Sequence, residues 1–203
     1  MSTELGDAVE LLDRALAYTR VALADVTDEA LVRPTPCSAW LLGRLLSHME
    51  DALDAFLEAA AGSVRVDPPG AASSRVGVLR EKACTLLGAW TRATPAEVAV
   101  GDRGLDSSLL VATAALEIAV HGWDVAQATG RGSRIPEDLA AGLLLVARRV
   151  VDPADRGTRF GDPVLGPAVQ AADAQLLAFL GRHLTGPPGQ IQGDSRSLHD
   201  SAS

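Results

Sequence analysis

Glu117 and His121 stand four residues apart in the run Leu116-Glu117-Ile118-Ala119-Val120-His121-Gly122-Trp123-Asp124. On a helix that spacing puts both side chains on one face, with Cβ atoms roughly 5–6 Å apart. From Leu109 to Val120, Glu117 is the only fully charged side chain. A carboxylate on a buried helix is costly unless it is paired or coordinates a metal, so Glu117 and His121 are candidate ligands of a divalent cation. A third candidate is His48, because Leu41, Leu45, His48, Ala52 and Ala55 recur at helical spacing and turn that histidine inward. Two imidazoles and one carboxylate leave a coordination position open for water or a substrate atom. Such a set serves zinc and non-haem iron(II), and nickel is also accepted.

Each of these residues also has a plainer role open to it. Glu117 can pair with an arginine, and His48 and His121 can be hydrogen-bonded core histidines, since an ExxxH spacing arises by chance on any helix. Asp124 can orient an imidazole from behind the ligand set, cap the helix end or meet Arg131. Trp40 and Trp123 read as core aromatics or as walls of a cleft above the metal. Cys37 is predicted in the first turn of a helix, where the dipole lowers a thiol pKa, or is a small buried residue. Cys37 and Cys84 follow no CxxC spacing and are expected to be two thiols. The chain has no Ser/His/Asp arrangement, phosphate loop or GxGxxG, which disfavours hydrolases of that type, kinases and dinucleotide enzymes.

Long helices must hold these residues. Hydrophobic residues make up 47% of the 203, with few aromatics, and Ala and Leu dominate, so an all-α fold is expected. Periodicity predicts a helix from about Leu5 to Ala24, a short turn capped near Thr27, and a second long helix entered at Thr35-Pro36 and stopped near Gly62. A third covers about Ser74 to Arg92 on Leu79, Ala83, Leu86 and Trp90. Residues 94–104 read as two short extended pieces around a turn. The fourth helix, capped by Ser107 or Ser108, carries Glu117 and His121 and ends at Gly130. A fifth follows Pro136 to near Val151, and the last spans Ala172 to Leu184. The pattern fits a four-helix bundle with accessory helices over residues 1–185, a fold that builds metal sites from inward side chains. Residues 186–203 are polar and aperiodic and are expected to form a disordered tail.

A net charge of −8 without a long basic run argues against nucleic acid and acidic membranes as partners. The amino terminus lacks a signal-peptide pattern, and no uncharged apolar run reaches the roughly 20 residues a bilayer needs, so a cytoplasmic location is expected. Oligomeric state stays open, a homodimer included.

Three motifs carry a family resemblance. Thr35-Pro36-Cys37-Ser38-Ala39-Trp40 with His48 beyond it, Glu117 to Asp124, and the pattern Phe160-Gly161, Pro163-Val164, Ala174 to Leu177 and Ala178 to Arg182 resemble the DinB/YfiT-like superfamily of metal-binding four-helix bundles. More narrowly they resemble its branch related to mycothiol-dependent maleylpyruvate isomerase, common in actinobacteria. The resemblance implies a divalent metal, zinc foremost, on His48, Glu117 and His121. It also implies a low-molecular-weight thiol such as mycothiol, and transfer of that thiol to a small electrophilic substrate. The namesake isomerases carry a further carboxyl-terminal domain that contributes to their active site, so isomerisation is expected less than transfer. Metal-dependent hydrolysis and non-catalytic binding of a metal or small ligand are the alternatives.

Overall fold

The computed structural model describes residues 3–37, 40–61, 63–64, 75–91, 96–100, 103–157, 160–164 and 171–183. The helices are α1 (Thr3–Ala22), α2 (Leu42–Ala60), α3 (Arg75–Trp90), α4 (Ser107–Thr129), α5 (Glu137–Val150) and α6 (Ala172–Phe179). Three short strands, β1 (Ser63–Val64), β2 (Glu97–Val100) and β3 (Arg103–Asp106), form one small sheet. In it β1 lies parallel to β2, and β2 and β3 form an antiparallel hairpin with Val98 opposite Leu105. The fold is all-α, as its Ala- and Leu-rich periodicity requires. The expected tail at 186–203 lies outside the described residues.

Helix α4 is the central element, packing on α1, α2 and α5. It is long and apolar enough to cross a membrane by composition, yet it is buried on nearly every side by its own bundle, from Val111 through Ala128. An all-round apolar helix is what a core position demands. Its closest neighbour is α1. Any Cβ at Gly122 would overlap the Thr19 side chain, and the Thr19 hydroxyl donates to the Ile118 carbonyl at 2.9 Å. A glycine thus lets two backbones approach, and a buried threonine satisfies its own hydroxyl in the gap.

The ends of α4 are set by side chain and backbone in turn. The cap at its start is Asp106, whose carboxylate accepts from the Leu109 N–H at 2.9 Å; Ser107 and Ser108 are helical, and Ser108 donates to Asp106 instead of capping. Gly130 ends the helix at φ 81°, as expected.

Two predicted boundaries are corrected. Helix α2 starts at Leu42 and not at Thr35. Pro34 and Pro36 bias the residues before them toward extended backbone. Pro34 bridges to Leu41, Leu42 N–H donates to Arg33 at 2.9 Å, and the Thr35 hydroxyl closes onto the Trp40 carbonyl at 2.9 Å. The segment is a closed loop that hands Trp40 to the site. Helix α6 ends at Phe179, five residues before Leu184, because Gly181 turns left-handed at φ 77° and lies against Gly161, where a Cβ would collide with backbone.

Replacing Gly122 with Ala forces α1 and α4 apart and is expected to cost about 1–3 kcal/mol, read as a fall of several degrees in Tm. Adding Thr19→Ala to that variant opens the gap and should recover part of the loss; a Gly122→Ala protein that melts like the wild type would refute the close-approach role.

Candidate metal centre

His48 comes from α2 and Glu117 and His121 from α4. The structure brings all three together: one donor atom from each lies within 4.8 Å of the others. His48 Nε2 is 2.7 Å and His121 Nε2 3.1 Å from the same oxygen, Glu117 Oε1. The two imidazole planes stand nearly perpendicular, at 88°, with centroids 5.1 Å apart. Among the described residues Glu117 meets no arginine; its partners are the two histidines. It sits deep in the bundle yet keeps 31% of its side chain accessible, enough for it to be reached from a cleft.

Asp124, fully buried, takes the orienting role of the three open to it. It accepts from His121 Nδ1 at 2.9 Å, which leaves Nε2 facing Glu117. A histidine held from behind by a carboxylate is the usual arrangement at protein metal sites. Arg131, the other partner considered, pairs with Asp25.

Behind Asp124 stands a residue that the periodicity did not single out. Arg182 donates from Nε at 3.2 Å and Nη2 at 2.9 Å to the two oxygens of Asp124, and from Nη1 to the Leu180 carbonyl at 3.3 Å. In the sequence Arg182 closes the carboxyl-terminal motif of the resemblance and carries no assigned role. The signal that could have found it is Gly181, a helix stop directly before it. The left-handed glycine turns the chain, Arg182 N–H donates to Leu177 at 2.8 Å, and the guanidinium enters the interior.

The cleft above these groups has a volume of about 570 Å³ and is walled by Cys37, Trp40, His48, Phe160, Leu180 and Arg182, among others. Trp40 lies with its ring 4.7 Å from that of His48, so it lines the cleft, whereas Trp123 is a buried core residue. Cys37 lies in the loop before α2, not in a helical turn. No dipole activates it: burial, and then the charge of Asp124, push its thiol pKa up.

From Glu117 to Arg182 the charges alternate. Burial would raise the pKa of Glu117, but hydrogen bonds from His121 and His48 outweigh it and hold the carboxyl far below the usual range. Burial disfavours a charged His121, yet Asp124 and Glu117 overcome that and push it up to about 9. Asp124 is likewise held down against burial, by Arg182 and His121.

The sequence profile described as the mycothiol maleylpyruvate isomerase N-terminal domain matches residues 12–126, a span holding His48, Glu117, His121 and Asp124. The chain belongs to this family. Two uncharacterized proteins of Mycobacterium tuberculosis, one from strain CDC 1551 / Oshkosh and one from strain ATCC 25618 / H37Rv, are each 28% identical over 168 residues, covering 79% of this chain and 89% of theirs. No solved structure gives a significant match. The mycothiol maleylpyruvate isomerase N-terminal domain profile stops before α5, so Arg182 and the Gly161–Gly181 contact lie beyond the matched span.

The metal-free pH dependence follows from His121. Its folded pKa, about 9, exceeds the ordinary 6.5, so its contribution is complete below about pH 6.5 and lost as pH rises through about 9, a matter of a few kcal/mol. Glu117, depressed, contributes above its ordinary 4.5 and loses that contribution on acidification. Chelator-treated protein should therefore melt highest between about pH 4.5 and 6.5 and progressively lower toward pH 9.5. A Glu117→Gln variant should show a flatter alkaline slope, with Asp124 retaining part of it, and an equally steep one would remove His121–Glu117 pairing as a cause.

Proposed function

We propose that His48, Glu117 and His121 bind a divalent cation, with zinc the foremost candidate, and that the cleft transfers a low-molecular-weight thiol to a small electrophile. The observation that carries this reading is the open donor set: two imidazole nitrogens and a carboxylate oxygen converge within one coordination sphere, and their free side faces a cleft.

The residues present fit a cation. Both Nε2 atoms point at one carboxylate oxygen, and the Nδ1 of His121 is occupied by Asp124, which keeps the Nε2 lone pair on the side of the centre. A cation held there would lower the pKa of a thiol at its open position and favour the nucleophilic thiolate. Asp124 and Arg182 fix the tilt of His121, while Trp40 packs beside His48 and limits its rotation. Phe160, Leu180 and Trp40 give the cleft apolar walls that shed water from a reacting sulfur. Membership of a mycothiol-related family supports a small thiol as the partner, and the cleft volume matches a small-molecule site.

Elemental analysis of the purified protein should find close to one divalent ion per chain, reduced to near zero in His121→Ala and Glu117→Gln. Asp124→Asn should weaken metal affinity about 10–100-fold. Supplied with mycothiol, the loaded protein should consume thiol with at least one of a panel of epoxides, alkyl halides and unsaturated acids. Turnover without thiol would move the reading to hydrolysis by an activated water, and full metal occupancy with no turnover of any kind would move it to a binding or structural role.

A further inference from the structure

A second cavity lies among α1, α2, α3 and α4, and Glu117 is the one residue it shares with the cleft. Its volume is about 210 Å³, and its walls include Leu16, Leu23, Met49, Leu53, Leu79 and Leu87. An apolar cavity of about 150 Å³ accommodates a benzene ring, so this one has room for a ring with a short substituent or a chain of about six to eight carbons. The cavity opens between Asp13, Arg20, Arg80 and Cys84, all exposed. Among the described residues neither Arg20 nor Arg80 has an ion-pair partner, and together they outnumber Asp13 at the mouth. In a chain of net charge −8, an apolar pocket with a locally cationic rim is selective in sign as well as in shape.

We infer that this cavity binds a small amphipathic carboxylate, its hydrocarbon portion between α1 and α3 and its carboxylate at Arg20 and Arg80. Shape and charge divide the work. The leucine-rich walls take the hydrocarbon, each methylene moved out of water tightening binding about fourfold until the cavity is full. The two arginines stay at the solvent boundary, where their attraction is modest and falls with salt. Glu117, which holds both histidines, lines this pocket as well as the cleft, so the pocket adjoins the candidate metal centre without entering its cleft. The assignment stands independently of metal binding and of thiol transfer, since none of the other cleft residues contributes to it.

Sodium octanoate is the probe. Cys84 at the mouth provides a readout in the unaltered protein: its alkylation by iodoacetamide, followed by peptide mass mapping, should slow severalfold at saturating octanoate, while hexanoate requires roughly tenfold higher concentration for the same protection. Calorimetric titration of an Arg20→Gln, Arg80→Gln double variant should show octanoate weakened severalfold, and octan-1-ol should bind wild type and double variant alike. Unchanged Cys84 alkylation in octanoate would overturn the site. Equal octanoate affinity in wild type and double variant would overturn the carboxylate assignment. Leu53→Trp, which fills the cavity, should abolish calorimetric binding if its melting shows it folded, and retained binding in a folded Leu53→Trp protein would place the ligand elsewhere and overturn the proposal.

Discussion

One buried carboxylate dictates the interior of this bundle. Glu117 sits on a helix that is otherwise apolar around nearly its whole circumference, and an uncompensated charge there would oppose folding by several kcal/mol. The bundle answers with a strip of hydrogen-bonded polar groups, imidazole, carboxylate, imidazole, carboxylate and guanidinium: His48, Glu117, His121, Asp124, Arg182. Glu117, His121 and Asp124 each have a strip partner on either side, so the buried interior of the strip is tolerable only when complete. One face of the histidine–carboxylate set is turned to a cleft, so the same residues that meet a stabilising requirement also form the proposed metal-binding set.

Packing serves that strip at two glycines. At Gly122 the absence of a side chain lets α1 close on α4 one residue beyond His121, and at Gly181 it lets the carboxyl-terminal segment lie on Gly161 one residue before Arg182. Both contacts flank charged members of the strip. A side chain at position 181 would lift the segment carrying Arg182 off Gly161 and draw its guanidinium away from Asp124, and charge-assisted hydrogen bonds weaken steeply with such separation. At Gly122 the close approach of α1 packs the helix that carries Glu117, His121 and Asp124.

Much of this was legible in the residues. Periodicity placed α1, α3, α4 and α5 to within a few residues, because each has a one-sided or all-round apolar pattern that burial must satisfy. The hairpin of Glu97–Val100 with Arg103–Asp106 was readable from the two glycines at 101 and 104. Where reading failed, tertiary hydrogen bonds outweighed local preference. Thr35-Pro36 has the form of a helix entry, but the Thr35 hydroxyl is claimed by Trp40 and α2 begins six residues after Pro36. Ser107 and Ser108 have the form of caps, but Asp106 reaches Leu109 first. Of the site, His48, Glu117 and His121 could be gathered by spacing and orientation. Arg182 could not, since its partner Asp124 lies 58 residues earlier and only the turn at Gly181 brings them together. Of the two readings of Cys37, the helical one fails because the chain before α2 is held by Thr35 and Trp40, while the reading as a small residue with burial around its thiol agrees with its raised pKa.

The order in which these partners leave the ribosome has its own consequence. Asp124 is synthesised well before Arg182, and His48 long before either. A nascent chain that has formed α1 to α4 therefore holds two carboxylates and two imidazoles in its interior, with no guanidinium to balance Asp124. Until residue 182 arrives Asp124 is paired on one side only, by His121, in a place with little water. The nascent intermediate is thus less stable than its packed helices suggest, and the last turn of the described chain acts as a latch on all that was made before it.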